Sequence, residues 1–255
     1  MSLIPASLLI FTRQMRLSLR SPAWPIIGLF QPALYLAFLG PLLVRVAGAG
    51  VDGLPAGAAW RFFVPGLLIQ LGLFGPLFAG LSIIADLRSG VFERMRVTPV
   101  SRFALLAGRV MRDTVVLLVQ TAVLLAVAYA FGLRAPVVGL LLMFLFVAAI
   151  AVGLSALSHG LGLLVRQEES FTPLLNAAAI PLLLLSGVLL PMTLAPQWLD
   201  ILSRLTPFRY VIDGMRSALY GDYGSSAVAV GAGVALATAA CCLALGARLF
   251  ARRNA

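Results

Sequence analysis

The sequence predicts an all-α polytopic membrane protein with six transmembrane helices. An N-terminal amphipathic helix, a cytoplasmic loop helix and short outer helices after the fifth span complete the expected architecture. Three observations carry this reading. Of 255 residues, 61% are hydrophobic and only 11% charged, with a mean hydropathy of +1.03; soluble domains average about 45–50% apolar and about 25% charged residues. The charges punctuate apolar runs long enough to cross a bilayer. The basic residues are also divided unequally between alternate loops.

A spanning helix needs about 20 mostly apolar residues, and the gaps between charges locate six candidates: 24–44, 62–85, 114–133, 138–164, 171–191 and 226–247. The fourth lies in 31 uncharged residues between Arg134 and Arg166, so a tilted or irregular helix is expected there. Six spans place both termini on one side. With the termini inside, thirteen arginines are cytoplasmic (Arg13, Arg16, Arg20, six in the loop after span two, Arg166, Arg248, Arg252, Arg253) against six outside (Arg45, Arg61, Arg134, Arg204, Arg209, Arg216). Basic residues near span ends resist translocation, which fixes this orientation in a bacterial cytoplasmic membrane. Trp24, Trp60 and Trp198 fall at the expected interfaces.

The net charge of +10 comes entirely from arginine, since the chain has no lysine. These arginines interrupt apolar runs and do not pave one face, so membrane topology and anionic lipid explain them better than nucleic acid. Adjacent Cys241 and Cys242 offer neither zinc-type spacing nor a disulfide framework. The first residues do not resemble a cleavable signal, because their charges follow the apolar stretch.

Ahead of span one, Leu8, Phe11, Met15 and Leu19 share one helical face and Arg13, Arg16 and Arg20 another. A helix along the membrane surface over 6–20 is expected. The loop after span two, Asp86 to Asp113, holds Arg88, Arg94, Arg96, Arg102, Arg109 and Arg112. Leu87, Val91 and Met95 recur every four residues, with Asp86, Ser89, Glu93, Arg94 and Arg96 on the other sides, which predicts a short helix over 86–98. Thr98 can cap the next helix with Pro99 at its first position. After span five, Pro196 and Pro207 suit helix starts, and Asp200/Arg204 and Arg209/Asp213 are spaced for i,i+4 pairs. Two amphipathic outer helices within 196–220 fit, with Leu199, Leu202, Leu205, Phe208, Val211 and Ile212 half-buried in the outer leaflet.

The sequence lacks a phosphate-cradling GxxxxGK[ST], a G-x-S-x-G and an H-E-x-x-H. No predicted span interior contains Asp or Glu, which argues against ion coupling and for energy supplied by another protein. His159 is the single histidine; an intramembrane ligand or proton site is one reading, and a neutral ring bonded to a nearby carbonyl is the plainer one.

Three runs bear on a family: WRFFVPGLL from Trp60, DLRSGVFERMRVTPVSRFALLAGRVMRD from Asp86, and LSGVLLPMTLAPQWLDILSRLTPFRYVIDGMR from Leu185. In this order and spacing they resemble type-2 ABC exporter permeases, in particular the daunorubicin-resistance group, over nearly the whole chain. The resemblance implies a transmembrane dimer that binds two copies of a separate ATP-binding subunit. ATP and Mg would sit in that subunit, and this chain would hold no cofactor or metal and would not itself be an enzyme. It implies that 6–20 is the connecting helix carrying Arg13, Arg16 and Arg20. It also implies that the coupling helix and its flanks (Asp86, Arg88, Glu93, Arg94, Arg96, Pro99, Arg102) dock on the ATPase. Spans two and five would line the dimer interface and substrate path, which makes Phe62, Phe63, Phe74, Phe78, Leu182 and Leu189 candidates for an apolar substrate surface. The apolar spans offer no charged site, which favours export of a hydrophobic or amphipathic drug, antibiotic or lipid. The alternatives are export of a lipid-linked glycan by similar permeases and a non-transporting scaffold or immunity protein; the missing catalytic groups argue against an intramembrane enzyme.

Overall fold

The computed structural model describes residues 3–21, 23–48, 59–91, 101–188 and 195–252. Among them every regular element is helical and no strand occurs. The elements are α1 (Leu3–Arg20), α2 (Ala23–Gly48), α3 (Ala59–Leu77), a 3-10 turn (Phe78–Gly80), α4 (Leu81–Arg88), α5 (Arg102–Ala130), α6 (Val137–Val165), α7 (Glu168–Leu185), α8 (Gln197–Arg204), α9 (Pro207–Tyr220) and α10 (Ser226–Arg252). Four runs among the described residues are long and apolar enough to cross a membrane: Ala59–Arg88, Phe103–Ala130, Val137–Val165 and Ser226–Phe250. A shorter apolar stretch, Ile26–Leu42, lies within α2.

The α3 run is the pillar of the bundle. Its most apolar window is 67% buried inside the protein, against 22% for α10, which stands at the edge. Leu67, Leu68, Ile69, Leu71 and Leu73 on α3 join Met143, Phe146, Val147 and Ile150 of α6 in the main core. A second cluster at the α1 end joins Ala6 and Ile10 of α1 to Leu105, Leu106 and Val110 of α5 and Phe250 of α10. In lipid, apolar surface gains little by leaving the bilayer, so helices associate by close packing of small residues. The α6–α10 contact shows this: a Cβ on Gly153 would lie 2.7 Å from the Ala239 backbone, and one on Gly160 would lie 2.9 Å from the Gly246 carbonyl.

The Ala59–Arg88 run is interrupted where helical geometry tightens to 3-10 over Phe78–Gly80, two residues beyond Pro76, whose ring nitrogen cannot donate to the preceding turn. Ser158 of α6 repairs the break. Its hydroxyl accepts from the Gly80 N–H at 2.9 Å and donates to the Leu77 carbonyl. A broken helix is tolerated at membrane depth when a neighbour takes up the freed backbone groups.

The local structure differs from expectation at two places. Asp86, Leu87 and Arg88 form the last turn of α4, and the chain leaves that helix through a turn at Ser89–Gly90, with Gly90 at φ 69°. Helix α5 begins at Arg102, with the Ser101 hydroxyl accepting from the Ala104 N–H at 3.2 Å; the expected Thr98–Pro99 start lies outside the described residues. The two helices after α7 also differ from each other. Phe208, Val211 and Ile212 of α9 are buried in the protein core, not half-buried in lipid, whereas Trp198, Ile201, Leu202 and Leu205 in and just after α8 are exposed.

Candidate functional site

At the α1 end, side chains on one turn of α5 fasten three other helices. Arg109 is 2% exposed and donates to the Asp86 carboxylate at the end of α4. Arg112 donates to Ser18 of α1 at 2.9 Å and to Asp113 at 2.7 Å. The second oxygen of Asp113 accepts from Ser155 at 2.5 Å and meets His159 Nε2 at 2.8 Å, both on α6. Asp113 and His159 are both buried. Charge gaps alone put Asp113 at the edge of a span; the helix Phe103–Ala130 encloses it, so this span does contain a carboxylate. The ring of His159 accordingly pairs with an acid and not with a backbone carbonyl.

Arg88 sits at the same end and donates to both oxygens of Glu169 at 3.1 Å, with Glu168 at 3.7 Å. The Glu169 carboxyl is held below its ordinary value, first by a bond to its own backbone N–H at the start of α7 and then by Arg88. Asp86 and Arg88, both candidates for docking another protein, thus brace this chain's own α5 and α7. Glu93, Arg94, Arg96 and Pro99 lie outside the described residues. Arg102 opens α5, and Arg13, Arg16 and Arg20 stand on the exposed face of α1.

Toward the middle of the bundle, α2, α3 and α7 enclose an open cavity of about 370 Å³. Phe74 and Phe78 line it with their rings stacked at 6.2 Å and 6°. Gln31, Gln70 and Asn176 add polar groups. Gln70 is 1% exposed, and neither end of its side-chain amide has a hydrogen-bond partner among the described residues. A smaller cavity of about 60 Å³ shares Gly28, Leu71 and Gly75 with the first and reaches Arg112 and Asp113. Phe63 is a core side chain, and Leu182 packs half-buried against the same core. Leu189 lies outside the described residues.

At the opposite end arginines tie the elements together. Arg216 of α9 donates to the Phe62 carbonyl at 3.2 Å and to the Gly187 carbonyl at 2.8 Å, and its guanidinium lies 3.6 Å from the centre of the Phe62 ring. It thereby ties the start of α3 to the turn after α7. Burial pulls Arg216 down to about 10 and pushes the nearby Asp213 carboxyl up. Arg209 does not pair with Asp213 four residues on; it reaches back to Asp200 at 2.5 Å, where Arg204 also bonds at 2.7 Å. These hydrogen bonds, Arg209 first, hold the Asp200 carboxyl below its ordinary value.

Residues 6–220 match the family model described as ABC-2 type transporter. The chain belongs to the ABC-2 type transporter family. Similar proteins include the putative transport permease ycf38 of Cyanophora paradoxa, 29% identical over 77% of this chain and 68% of the relative. The daunorubicin resistance ABC transporter permease protein DrrB1 of Streptomyces coeruleorubidus is 24% identical over 64% of this chain and 59% of its own length. The probable multidrug ABC transporter permease YbhR of Escherichia coli K12 is 27% identical over 60% and 42% respectively. Family and apolar helices together make this a multi-pass membrane protein.

Sequence reading did not single out Gln70, Ser155 or Ser158. A lone amide or hydroxyl in an apolar run carries no periodic signal, and only the packing of α6 against α3 and α5 gives the two serines their partners.

Proposed function

We propose that the chain is the permease subunit of an ATP-driven exporter, moving a hydrophobic or amphipathic substrate out of the cell by alternating access. The observation that carries this reading is the α2–α3–α7 cavity, where stacked Phe74 and Phe78 offer an apolar slot beside the unpartnered amide of Gln70. A buried amide with neither donor nor acceptor satisfied costs about 1–3 kcal/mol, and a ligand that both accepts and donates beside a flat apolar body recovers that cost. Drugs, antibiotics and lipids share this chemistry, and daunorubicin, the drug for which one relative is named, is a suitable probe.

In this reading six helices cross the membrane, with α2 and α7 as the first and fifth spans and both termini cytoplasmic, as the arginine asymmetry supports. Two copies associate in the membrane and bind two copies of an ATP-binding subunit, which holds ATP and Mg. That subunit docks on the segment between α4 and α5, where Glu93, Arg94 and Arg96 meet it, and α1 is the connecting helix. ATP-driven closure pushes this corner, and α2, α3 and α7 reorient around the cavity.

Vesicles containing the chain and its ATP-binding partner test this directly. Daunorubicin is expected to raise ATP hydrolysis and to move across the bilayer only when ATP is present. Replacing Glu93, Arg94 and Arg96 together by alanine is expected to leave insertion intact and to remove the stimulation. A chain that inserts normally yet moves no daunorubicin and changes no hydrolysis would fit a scaffold instead.

A further inference from the structure

Asp113 is the one buried acidic side chain among the described residues, and its hydrogen-bond partners there are all donors. Its carboxylate accepts from Arg112, Ser155 and His159. A carboxylate has only lone pairs to offer, so His159 carries its hydrogen on Nε2 and donates, while Nδ1 has no partner among the described residues. The bonds reach outward from this centre. Arg112 extends to Ser18 on α1. One turn earlier, Arg109 holds Asp86 at the end of α4. On α6, Ser158 lies between Ser155 and His159 and holds both backbone groups of the 3-10 break. Two facing helical turns, 109–113 on α5 and 155–159 on α6, therefore fasten α1, α4 and the break in the α3 run.

Stability alone does not account for this arrangement. A buried ion pair gives back in attraction about what it loses in hydration, and apolar side chains of the same size would hold the helices as well. What charge adds is a single permitted register, because a slipped register leaves an ion or a polar hydrogen unpartnered.

We propose that the Asp113–His159 pair, with Arg109, Arg112 and Ser155, positions α1, α4 and α6 as one body in the transport step. A displacement of the α4–α5 corner then reaches Phe78 at the break and the wall of the Gln70 cavity without being absorbed by slippage between helices. These are positioning residues; none of them lines the Gln70 cavity. The role rests on the transport reading above.

Because His159 is the only histidine, ¹⁵N-histidine labelling gives a single imidazole signal, readable in nanodiscs without any partner protein. The wild type is expected to show protonated Nε2 and bare Nδ1 at about pH 8, and Asp113→Asn to show interchanging tautomers. A wild-type neutral ring with its hydrogen on Nδ1 and none on Nε2 overturns the pairing, since a bare Nε2 cannot donate to a carboxylate. The second arm uses daunorubicin-stimulated ATP hydrolysis by the reconstituted complex. His159→Gln, whose amide can still donate to Asp113, is expected to stay within about threefold of wild type, and His159→Leu to lose about tenfold in stimulation, with insertion and unstimulated hydrolysis unchanged. Equal stimulation in all three proteins overturns the proposal, as does a parallel loss of unstimulated hydrolysis in His159→Leu. A wild-type complex that daunorubicin never stimulates counts against the transport reading and takes the positioning role with it, while the imidazole signal still decides the pairing.

Discussion

Gln70 shows how a single side chain can weigh stability against use. Exchanging it for leucine removes two unpartnered polar groups, and a gain of about 1–3 kcal/mol is expected, seen as a higher melting temperature in detergent. The same protein is expected to bind daunorubicin more weakly in vesicles. A variant that melts lower would show the amide to be satisfied after all. Asp200 sets the acid limit of the α8–α9 end. Its carboxyl titrates below its ordinary 3.8 because Arg209 and Arg204 bond to the charged form. A depressed acid stabilises the fold above its unfolded value and loses that contribution as pH falls through the folded one. Melting temperature is therefore expected to hold from neutrality down to about pH 4 and to drop below it, and Asp200→Asn should flatten that drop. Spacing in the sequence pairs Asp200 with Arg204, four residues apart, and the bond is there. The same spacing assigns Arg209 to Asp213, but the break between α8 and α9 turns it back to Asp200. The Asp113–His159 bond joins residues 46 apart, and no local period reports such a pair.

Among the elements, the α3–α4 run depends on a neighbour for its backbone. Ser158→Ala leaves the Gly80 N–H and the Leu77 carbonyl without their side-chain partner, a loss of about 1–3 kcal/mol for each group left unsatisfied. Hydrogen exchange at Gly80 is expected to quicken, and unchanged exchange would mean that the helix closes by itself. Apolar length and charge gaps made the long helices legible in advance, since a bilayer imposes a minimum length on any span. The 3-10 break was not legible, because Pro76 signals a weakness and only α6 decides how it is repaired. Periodicity also failed to separate α8 from α9. Both are amphipathic, and the same alternation serves a helix facing the core and one facing outward.

For the molecule as a whole, α2 presents Phe30, Phe38 and Leu42, and α7 presents Leu174, Ile180 and Leu184, as exposed apolar side chains on the two helices that also border the Gln70 cavity. The dimer interface expected along spans two and five would then fall on α7 and on α2, because the most apolar window of the span-two run is 67% buried inside the protein. With Cys241 and Cys242 replaced by serine, a cysteine at Phe38 is expected to cross-link two chains in vesicles, and one at Leu236 of α10 to leave them single. The reverse pattern would place the second copy against α10. The family itself was legible because three separated runs occur in order; the mutual arrangement of those runs was not, since it is made by bonds between helices distant in sequence.

The tie made by Arg216 bears on the ion gradient of the membrane. Its acceptors are the carbonyls of Phe62 and Gly187, which take up no proton in acid, so acidity that weakens the bonds of Asp200 leaves these acceptors unchanged. A guanidinium so placed also puts a positive charge at one end of the protein, which disfavours cations there. An idle permease of this kind is expected to conduct no protons even in an acid medium, whereas Arg216→Ala in dye-loaded liposomes should dissipate a pH difference. The residue that ties α3 to the turn after α7 would then also spare the proton gradient while the transporter waits.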